Sequence, residues 1–390
     1  MAFALAVSGV ARHRSPQNAL AFVPKEGIAL ATQADLALVD GVKASPLVMQ
    51  RDARAALRNM PLNSKAVRLL AISMGLQGKD ALADRLLDQA ANLTRRDLLT
   101  QVLLIEAAIR RDDLHDALKH FDIALRSSAN APQILFPRLS NGIANPEGRA
   151  ALKPYIRAKS SWPLEFLYYA KDNRDDLAPL VDLVIETGGV ADAVKQRAFD
   201  AALLEALFQK QNYADLKRLF GRIPGAKLEL LTSAALNTAD VSRRFGPAAW
   251  QPLDDAESGA RPSGGKGAPA ALSIYANSGT TGPVAQKLLF LTPGRYRFAF
   301  RVASIDRGEG GSIGWQMHCL EPAASQPFWR MESLYRSTTS FVDVDATCGV
   351  QRLQIWASGG SGQTGMEADI SAVSLDRGDK AASRSSISIN

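Results

Sequence analysis

The hydrophobic pattern changes once along the chain. From residue 44 to about residue 240, apolar residues recur at positions i, i+3, i+4 and i+7, which is typical of amphipathic helices. From residue 247 to residue 376 they alternate with polar residues, which indicates half-buried strands. We therefore predict a multidomain α + β protein with a helical domain over 44–240 and a β domain over 247–376. Residues 1–43 are expected to form an N-terminal segment, and residues 377–390 a disordered tail.

The helical half carries a period of 34 residues. Gly78, which ends one predicted helix, corresponds to Asp112 in a later turn. Small and large apolar residues recur in the same register, with Ala83, Leu87 and Ala90 matched by Ala117, Phe121 and Ala124. Small residues let two antiparallel helices approach closely, and large ones fill the gaps between them. The pattern therefore predicts repeated helical hairpins.

This period resembles that of the tetratricopeptide repeat family. The resemblance is carried by residues 45–129, and further helices without the signature are expected after them. It implies an α-solenoid of about four or five hairpins, because one hairpin cannot bury its apolar face alone. Repeats of this family bind peptides or proteins, so the resemblance implies a protein partner. Candidate partner-binding residues are polar ones on the first helices of hairpins, which an ordinary solvated face would also explain: Lys65, Arg68, Gln101 and Arg110.

Short strands separated by Gly- and Pro-rich loops are predicted in the second half. This arrangement, without a helical pattern, favours an antiparallel β-sandwich. The predicted strands are Ala270–Ala276, Gln286–Leu291, Arg295–Ala303, Ile313–Cys319, Trp329–Arg336, Phe341–Asp345, Val350–Ala357 and Glu367–Leu375.

The clearest strand begins with Pro-Gly-x-Tyr-x-Phe. Its aromatic residues Tyr296 and Phe298 should point into a core, and the arginines between them should point outwards. With a strand that carries Trp315 and a C-terminal apolar strand, it resembles the jelly-roll carbohydrate-binding modules. The resemblance implies a jelly-roll-like sandwich and a glycan ligand. The outward arginines are candidates for a carboxylated glycan or another acidic partner, or form an ordinary polar face: Arg295, Arg297 and Arg301.

Glycan binding needs exposed aromatic faces with planar polar groups beside them. Trp356 shares a strand face with Arg352 and Gln354, opposite the apolar residues of that strand, so these three residues are glycan-binding candidates. Trp329 follows a loop and is a further candidate. Packing between the sheets or against the helices is the alternative for both tryptophans. Trp315 alternates with apolar residues and should belong to the core.

The chain has two cysteines, Cys319 and Cys348, each beside a predicted strand. A disulfide between them would indicate an oxidising compartment, here the periplasm, whereas two buried free thiols would suit the cytosol. Residues 1–11 are apolar but too few to cross a bilayer. They can be the stub of an inner-membrane anchor that begins upstream of Met1, or a frayed helix.

Charge and motifs exclude several classes of function. The net charge of +7 lies wholly in residues 1–249, too diffusely for a nucleic-acid groove. Gly360–Gly365 matches G-x-G-x-x-G, but a strand follows it, so no dinucleotide site is expected. We expect no cofactor and no enzyme activity. Two acidic pairs at strand spacing leave open a calcium site or a glycosidase acid and base: Asp343 with Asp345, and Glu367 with Asp369.

The stretches Arg95–Leu98 and His120–Leu125 resemble repeat-plus-sandwich proteins of alphaproteobacteria that are linked to exopolysaccharide production. The resemblance implies a periplasmic, non-enzymatic scaffold that takes part in polysaccharide assembly or export. In this interpretation the helices bind a protein partner and the sandwich contacts polysaccharide. The alternatives are a structural adaptor that never binds sugar, and a hydrolase that uses carboxylates.

Overall fold

The structure is a computed structural model, and it describes residues 8, 10–39, 45–263, 269–333 and 337–378. The chain divides into two compact units. The first is Met1–Arg174 with Glu186–Ala191, and the second is Asp175–Ile185 with Asp192–Asn390. The second unit thus holds the last helices together with the strands. The domain limits predicted near residues 240 and 247 stay a prediction.

The ends of the chain lie largely outside the described residues. Most of the apolar stretch at residues 1–11 does so, as does the predicted tail from residue 379 onwards. Across the described ranges, no helix combines the length and the apolar character needed to cross a bilayer. The predicted anchor and disordered tail therefore stay predictions.

Helices fill the first part of the chain, as expected. They begin and end as follows: α1 (Pro16–Phe22), α2 (Gly27–Val39), α3 (Pro46–Asn59), α4 (Ser64–Gly75), α5 (Asp80–Leu93), α6 (Leu98–Arg110), α7 (Leu114–Ser127), α8 (Ala131–Gly142), α9 (Pro146–Ile156), α10 (Trp162–Asn173), α11 (Ala178–Thr187), α12 (Ala193–Gln209), α13 (Tyr213–Phe220) and α14 (Ala239–Phe245). Helices α4 and α5 pack together, as do α6 and α7. Helix α2 also contacts α4, and α8 contacts α10, so equivalent helices of successive hairpins touch.

Three hairpin turns share one backbone conformation. Gly78, Asp112 and Gln211 all have positive φ, at 74°, 57° and 57°. Just after each of them, a backbone N–H donates to the carbonyl five residues earlier, as from Lys79 to Met74 (3.0 Å). This is the Schellman pattern that ends a helix. The correspondence between Gly78 and Asp112 predicted from the 34-residue period therefore holds at the level of the backbone.

Alanines at the predicted spacing form the helix contacts. Ala56, Ala90 and Ala124 lie 34 residues apart along the chain, and all three are fully buried. Because an alanine side chain is small, helices can approach closely there. The repeating alanines explain why the hairpins pack with a constant period.

The strands form two antiparallel sheets of five strands each. Sheet A has the order β1-β4-β9-β6-β7, and sheet B has the order β2-β3-β10-β5-β8. Most consecutive strands from β4 onwards alternate between the sheets, as in a jelly roll. The bounds are β1 (Gln251–Pro252), β2 (Ser258–Ser263), β3 (Ala271–Ala276), β4 (Thr281–Leu289), β5 (Gly294–Asp306), β6 (Ser312–Glu321), β7 (Trp329–Ser333), β8 (Ser337–Val344), β9 (Val350–Ser358) and β10 (Met366–Arg377).

The predicted sandwich is confirmed, with differences at its edges. Strands β1 and β2 were not expected, and β4 begins at Thr281 instead of Gln286. These segments contain Gly or Pro, such as Pro283, which weaken a strand pattern in the sequence. The last residues of the predicted strand Trp329–Arg336 lie outside the described residues.

Aromatic side chains fill the space between the sheets. The ring of Phe298 on β5 lies 4.9 Å from Trp315 on β6 and 5.1 Å from Trp329 on β7. Trp250 packs edge-on against Trp315 at 6.1 Å, and its indole N–H donates to the carbonyl of Ala234 (2.9 Å). The expected core position of Trp315 is confirmed. Its burial also explains why the two sheets hold together, since large aromatic rings contribute most to such a core.

The predicted disulfide is present between Cys319 and Cys348, with the two Cα atoms 5.6 Å apart. Cys319 lies near the end of β6, and Cys348 comes just before β9, which pairs with β6. The bond therefore ties together neighbouring strands of sheet A.

We predict that replacing both cysteines by serine lowers the free energy of unfolding by roughly 3 to 4 kcal/mol, because the open chain gains loop entropy when it unfolds. Urea unfolding of the variant and of the wild type measures this difference. Reducing the wild type with dithiothreitol should reproduce the loss. Equal stability of the oxidised and reduced proteins would contradict the prediction.

One charged side chain lies between the sheets. Lys287 on β4 pairs with Leu353, which belongs to the interior, and it is only 1% exposed. Its Nζ has no hydrogen-bond partner among the described residues. Burial lowers the pKa of Lys287 to about 7, because the charged amine loses its hydration. Near neutral pH much of the Lys287 population should therefore be uncharged.

We predict that Lys287→Met stabilises the fold at pH 7. The unfolded lysine binds a proton up to its usual pKa near 10.5, whereas the folded one releases it near 7. The wild type therefore loses stability as pH falls from 10.5 to 7, by at most about 5 kcal/mol, and the variant does not. Urea unfolding at pH 7 and pH 10 checks this, with Lys227→Met, at an exposed lysine, as the control. A stability difference that does not shrink at pH 10 would sink the prediction.

Candidate functional site

A polar cleft of about 730 Å³ lies on the outer face of sheet B. Four neighbouring strands, β2, β3, β10 and β5, form its floor. Their pairing sets two rows of side chains across the sheet. One row is Arg261, Ser273, Asp369 and Ser304, and the other is Gly259, Tyr275, Glu367 and Asp306. Because strand pairing places these residues on one face of the sheet, their side chains lie side by side in the cleft.

Tyr275 supplies the aromatic group of the cleft. Its hydroxyl donates to the carboxylate of Asp254 and lies 2.7 Å from the carbonyl oxygen of Asp255. The hydrogen bond with Asp254 raises the pKa of Tyr275, with a smaller rise from burial. The guanidinium of Arg261 lies over the ring, 5.7 Å from its centre. These contacts hold the ring of Tyr275 in one orientation.

Gly259 makes room for the contact between Asp254 and Tyr275. A Cβ atom at this position would lie 2.7 Å from the Asp254 carboxylate. Such a distance is too short for real atoms, so any larger residue would displace Asp254. The glycine on β2 therefore belongs to the support of the aromatic ring.

Asp369 is a fixed acceptor in the second row. Its carboxylate accepts hydrogen bonds from the hydroxyls of Ser273 and Ser304, the latter at 2.6 Å. These bonds, that from Ser273 first, lower the pKa of Asp369, because they stabilise its charged form. Asp369 therefore stays ionised and suits binding of hydroxyl groups.

Two exposed carboxylates complete the cleft. Glu367 on β10 lies directly opposite Asp306 on β5. Within the described ranges, no cluster of three or more His, Cys, Asp or Glu side chains could hold a metal ion. The cleft thus offers one aromatic ring, one guanidinium and three carboxylates, a set that can stack on a sugar ring and bond its hydroxyls.

The predicted arginine row lies on the same outer face but outside this cleft. Arg295 stacks on Phe341, 4.5 Å from the ring centre, and its Nε lies 3.8 Å from Asp343. Arg297 lies 3.9 Å from Asp376. Arg301 lines a smaller cleft of about 360 Å³ with Ser337 and Thr339. The first two arginines thus have exposed acidic neighbours within the sheet, and because such exposed ion pairs are weak, the row stays a candidate for an acidic glycan.

The predicted group around Trp356 lies on the outer face of sheet A. Trp356, Gln354 and Arg352 point away from the interior, as expected, because Leu353 and Ile355 between them belong to the core. Gln354 is buried and the other two are half-buried. The prediction of Gln354 as a glycan-binding residue is therefore corrected, because this side chain is only 7% exposed and its amide is not accessible to a ligand.

Trp329 requires a second correction. The sequence made it a glycan-binding candidate, but its ring packs against Phe298 in the interior. Its strand, β7, places Trp329 opposite Met317, which is fully buried. A shift of one residue in the register of a strand exchanges its inward and outward side chains. The loop before β7 gives no sequence signal that fixes this register.

The four candidates in the helical unit divide into two pairs. Arg68 and Gln101 are buried, which corrects their prediction as partner-binding residues. Arg68 forms ion pairs with Asp35 and Asp97 of neighbouring helical segments. The side-chain oxygen of Gln101 lies 2.8 Å from Nδ1 of His120.

Lys65 and Arg110 remain accessible. Lys65 is half-buried, 3.7 Å from Asp35, and Arg110 is exposed, 3.2 Å from Asp84. Both cations can still meet an acidic partner, since exposed ion pairs are weak.

Sequence analysis missed Tyr275 and Arg261. Arg261 lies in the short strand β2, which the pattern did not predict, and Tyr275 lies on the polar side of β3. An aromatic residue at an outward position of an alternating strand was the available signal. Glu367 and Asp369 were singled out as a pair, and the structure brings them into the cleft.

Comparisons with solved structures give distant likenesses. No family model matches the chain, and no curated protein matches it. The chain is similar to a family 61 carbohydrate-binding module in complex with β-1,4-galactotriose, at 14% identity over 34% of this chain and 90% of that one, with a TM-score of 0.24. It is also similar to a carbohydrate-binding module of Cellvibrio mixtus lichenase 5A in complex with cellotriose (15% identity, 37% and 96% covered, TM-score 0.19).

The helices have a likeness of their own. PilF of Pseudomonas aeruginosa matches at 16% identity over 58% of this chain and 91% of that one, with a TM-score of 0.26. With TM-scores this low, none of these likenesses establishes a function for the chain.

Proposed function

We propose that the protein is a non-enzymatic scaffold whose sandwich binds a polysaccharide in the cleft on sheet B and whose helical hairpins bind a protein partner. The observation that carries the proposal is that one cleft contains both Tyr275, held by Asp254 and Arg261, and the fixed acceptor Asp369. A ring held in place loses little entropy when a sugar stacks on it. A preformed carboxylate beside it can accept two sugar hydroxyls.

The helical part of the proposal rests on the stacked hairpins. Repeats of this kind present extended surfaces to other proteins. Arg110 and Lys65 are available on that surface, whereas Arg68 stabilises contacts between hairpins. A purely structural adaptor, in which the sandwich too binds only protein, is the alternative within this class.

The compartment is part of the proposal. The disulfide between Cys319 and Cys348 favours an oxidising location such as the periplasm. A periplasmic scaffold with a polysaccharide-binding sandwich suits exopolysaccharide assembly or export. Inner-membrane anchoring upstream of Met1 is compatible with this role.

We predict that Tyr275→Ala weakens binding of a neutral polysaccharide by at least about tenfold, because the stacking surface is lost. A glycan array identifies the ligand, and titration calorimetry with the full chain measures its affinity. Phe341→Ala is the matched control, since Phe341 is an exposed aromatic residue on the same sheet outside the cleft. Equal affinities of Tyr275→Ala and the wild type would exclude the cleft, and absence of any glycan ligand would favour the structural adaptor.

A hydrolase is the second candidate, because Glu367 and Asp306 face each other in the cleft. Paired residues on adjacent strands have Cβ atoms roughly 5 Å apart. The carboxyl groups of Glu367 and Asp306 can therefore approach to the separation of about 5 Å between carboxyl groups that a retaining glycosidase uses. Release of reducing ends from the bound polysaccharide, abolished in Glu367→Gln and in Asp306→Asn, would establish the hydrolase. An intact polysaccharide after prolonged incubation supports the scaffold.

A further inference from the structure

A second polar surface lies on the outer face of sheet A, apart from the cleft. Arg352 on β9 pairs directly with His318 on β6, and Arg330 on β7 pairs with Gln316, two residues from His318 on the same face. Neighbouring strands lie about 4.8 Å apart, so the two arginines flank His318 at a distance that their long side chains can bridge. We call Arg352, His318 and Arg330 the cationic patch.

The charges of the cationic patch are not compensated. Within the described ranges, no carboxylate forms an ion pair with Arg352 or Arg330, and both ring nitrogens of His318 and Nε of Arg352 are buried without a hydrogen-bond partner. His318 is only 8% exposed. Burial lowers the pKa of His318, and the charges of Arg352 and Arg330 lower it further. The half-buried charge of Arg352 is therefore partly desolvated without a counter-charge, and an anion that reaches its guanidinium would supply one.

Two other arginines of the sandwich differ from Arg352 because they lie beside carboxylates. Arg295 and Arg297 on sheet B lie beside Asp343 and Asp376. Among the described residues, no carboxylate forms an ion pair with Arg352, and on the helices its charge interacts with the hydroxyl of Tyr213, at the start of α13. Burial raises the pKa of Tyr213, so this hydroxyl is a neutral donor that can join the patch.

We propose that the cationic patch binds an oxyanion carried by an acidic polysaccharide, held by the guanidiniums of Arg352 and Arg330 above His318. Guanidinium groups bind carboxylates and phosphates through two parallel hydrogen bonds, which makes them the suitable donors. The proposal rests on the proposed function in one respect, since it takes the ligand to be a polysaccharide. It assigns charged substituents to sheet A and neutral sugar rings to the cleft on sheet B.

Binding to three polymers tests the proposal with the full chain. Polygalacturonate offers carboxylates, its fully methyl-esterified form offers none, and phosphomannan offers phosphates. We expect binding of polygalacturonate, phosphomannan or both, and at least about tenfold weaker binding of the ester. The polymer that binds identifies the oxyanion, and binding of neither acidic polymer overturns the proposal.

Two variants locate the binding site. Arg330→Gln should weaken binding of the acidic polymer about tenfold, and it should fold normally because Arg330 is exposed. Arg352→Lys retains the charge and should lose less affinity than Arg352→Gln. Arg222→Gln is the matched control, because it removes one exposed positive charge outside both sheets. Equal losses in Arg330→Gln and Arg222→Gln would mean unspecific attraction and would overturn the site.

The cleft provides an independent readout. Tyr275→Ala should weaken binding of the neutral polysaccharide and leave Arg330-dependent binding of the acidic polymer unchanged. If Arg330→Gln has no effect while Tyr275→Ala does, the proposed function stands and the cationic patch fails. If the reverse holds, the cleft fails and the patch stands.

Discussion

The aromatic interior of the sandwich decides which side chains can meet a ligand. Trp315 and Phe298 meet between the sheets, and Trp250 and Trp329 pack around them. Because strand residues alternate between two faces, inward placement of these rings fixes the outward placement of their neighbours. Tyr275, Arg352 and Trp356 lie on outer faces for this reason. Both candidate surfaces are thus consequences of the packing inside.

The two outer faces of the sandwich differ in their charge and in the hydrogen bonds that hold their side chains in place. The cleft on sheet B combines Arg261 with three carboxylates, and its groups are held by bonds within the sheet, such as those from Ser273 and Ser304 to Asp369. On sheet A, Arg352 and Arg330 form no ion pair with a carboxylate of the described residues, although Glu332 shares a strand face with Arg330. A neutral hydroxylated ligand suits the first surface and an anionic one suits the second. Under the two proposals made above, one sandwich would contact the sugar rings of a polysaccharide on sheet B and its charged substituents on sheet A.

The sequence predicts the structure best where the period of the apolar side chains matches the period of a regular helix or strand. Hairpins with buried Ala56, Ala90 and Ala124 followed from a constant interval, and the alternation on β9 placed Trp356 outwards correctly. Short segments with Pro or Gly, such as β1 and β2, carry too few alternating residues to be recognised. The cleft escaped prediction because it combines β2, β3 and β5 with the distant strand β10, and the order of strands in a sheet is not a local property of the sequence.

Charge compensation separates arginines with structural roles from those open to a ligand, and sequence position alone cannot do this. Arg68 was predicted to be a groove residue, yet its buried guanidinium lies between the carboxylates of Asp35 and Asp97, which neutralise it. Arg295 and Arg297 have weaker, exposed acidic neighbours. Arg352 is partly buried and has none, among the described residues. Partial desolvation without a counter-charge is unfavourable for the isolated protein, and an anionic ligand would supply the missing charge.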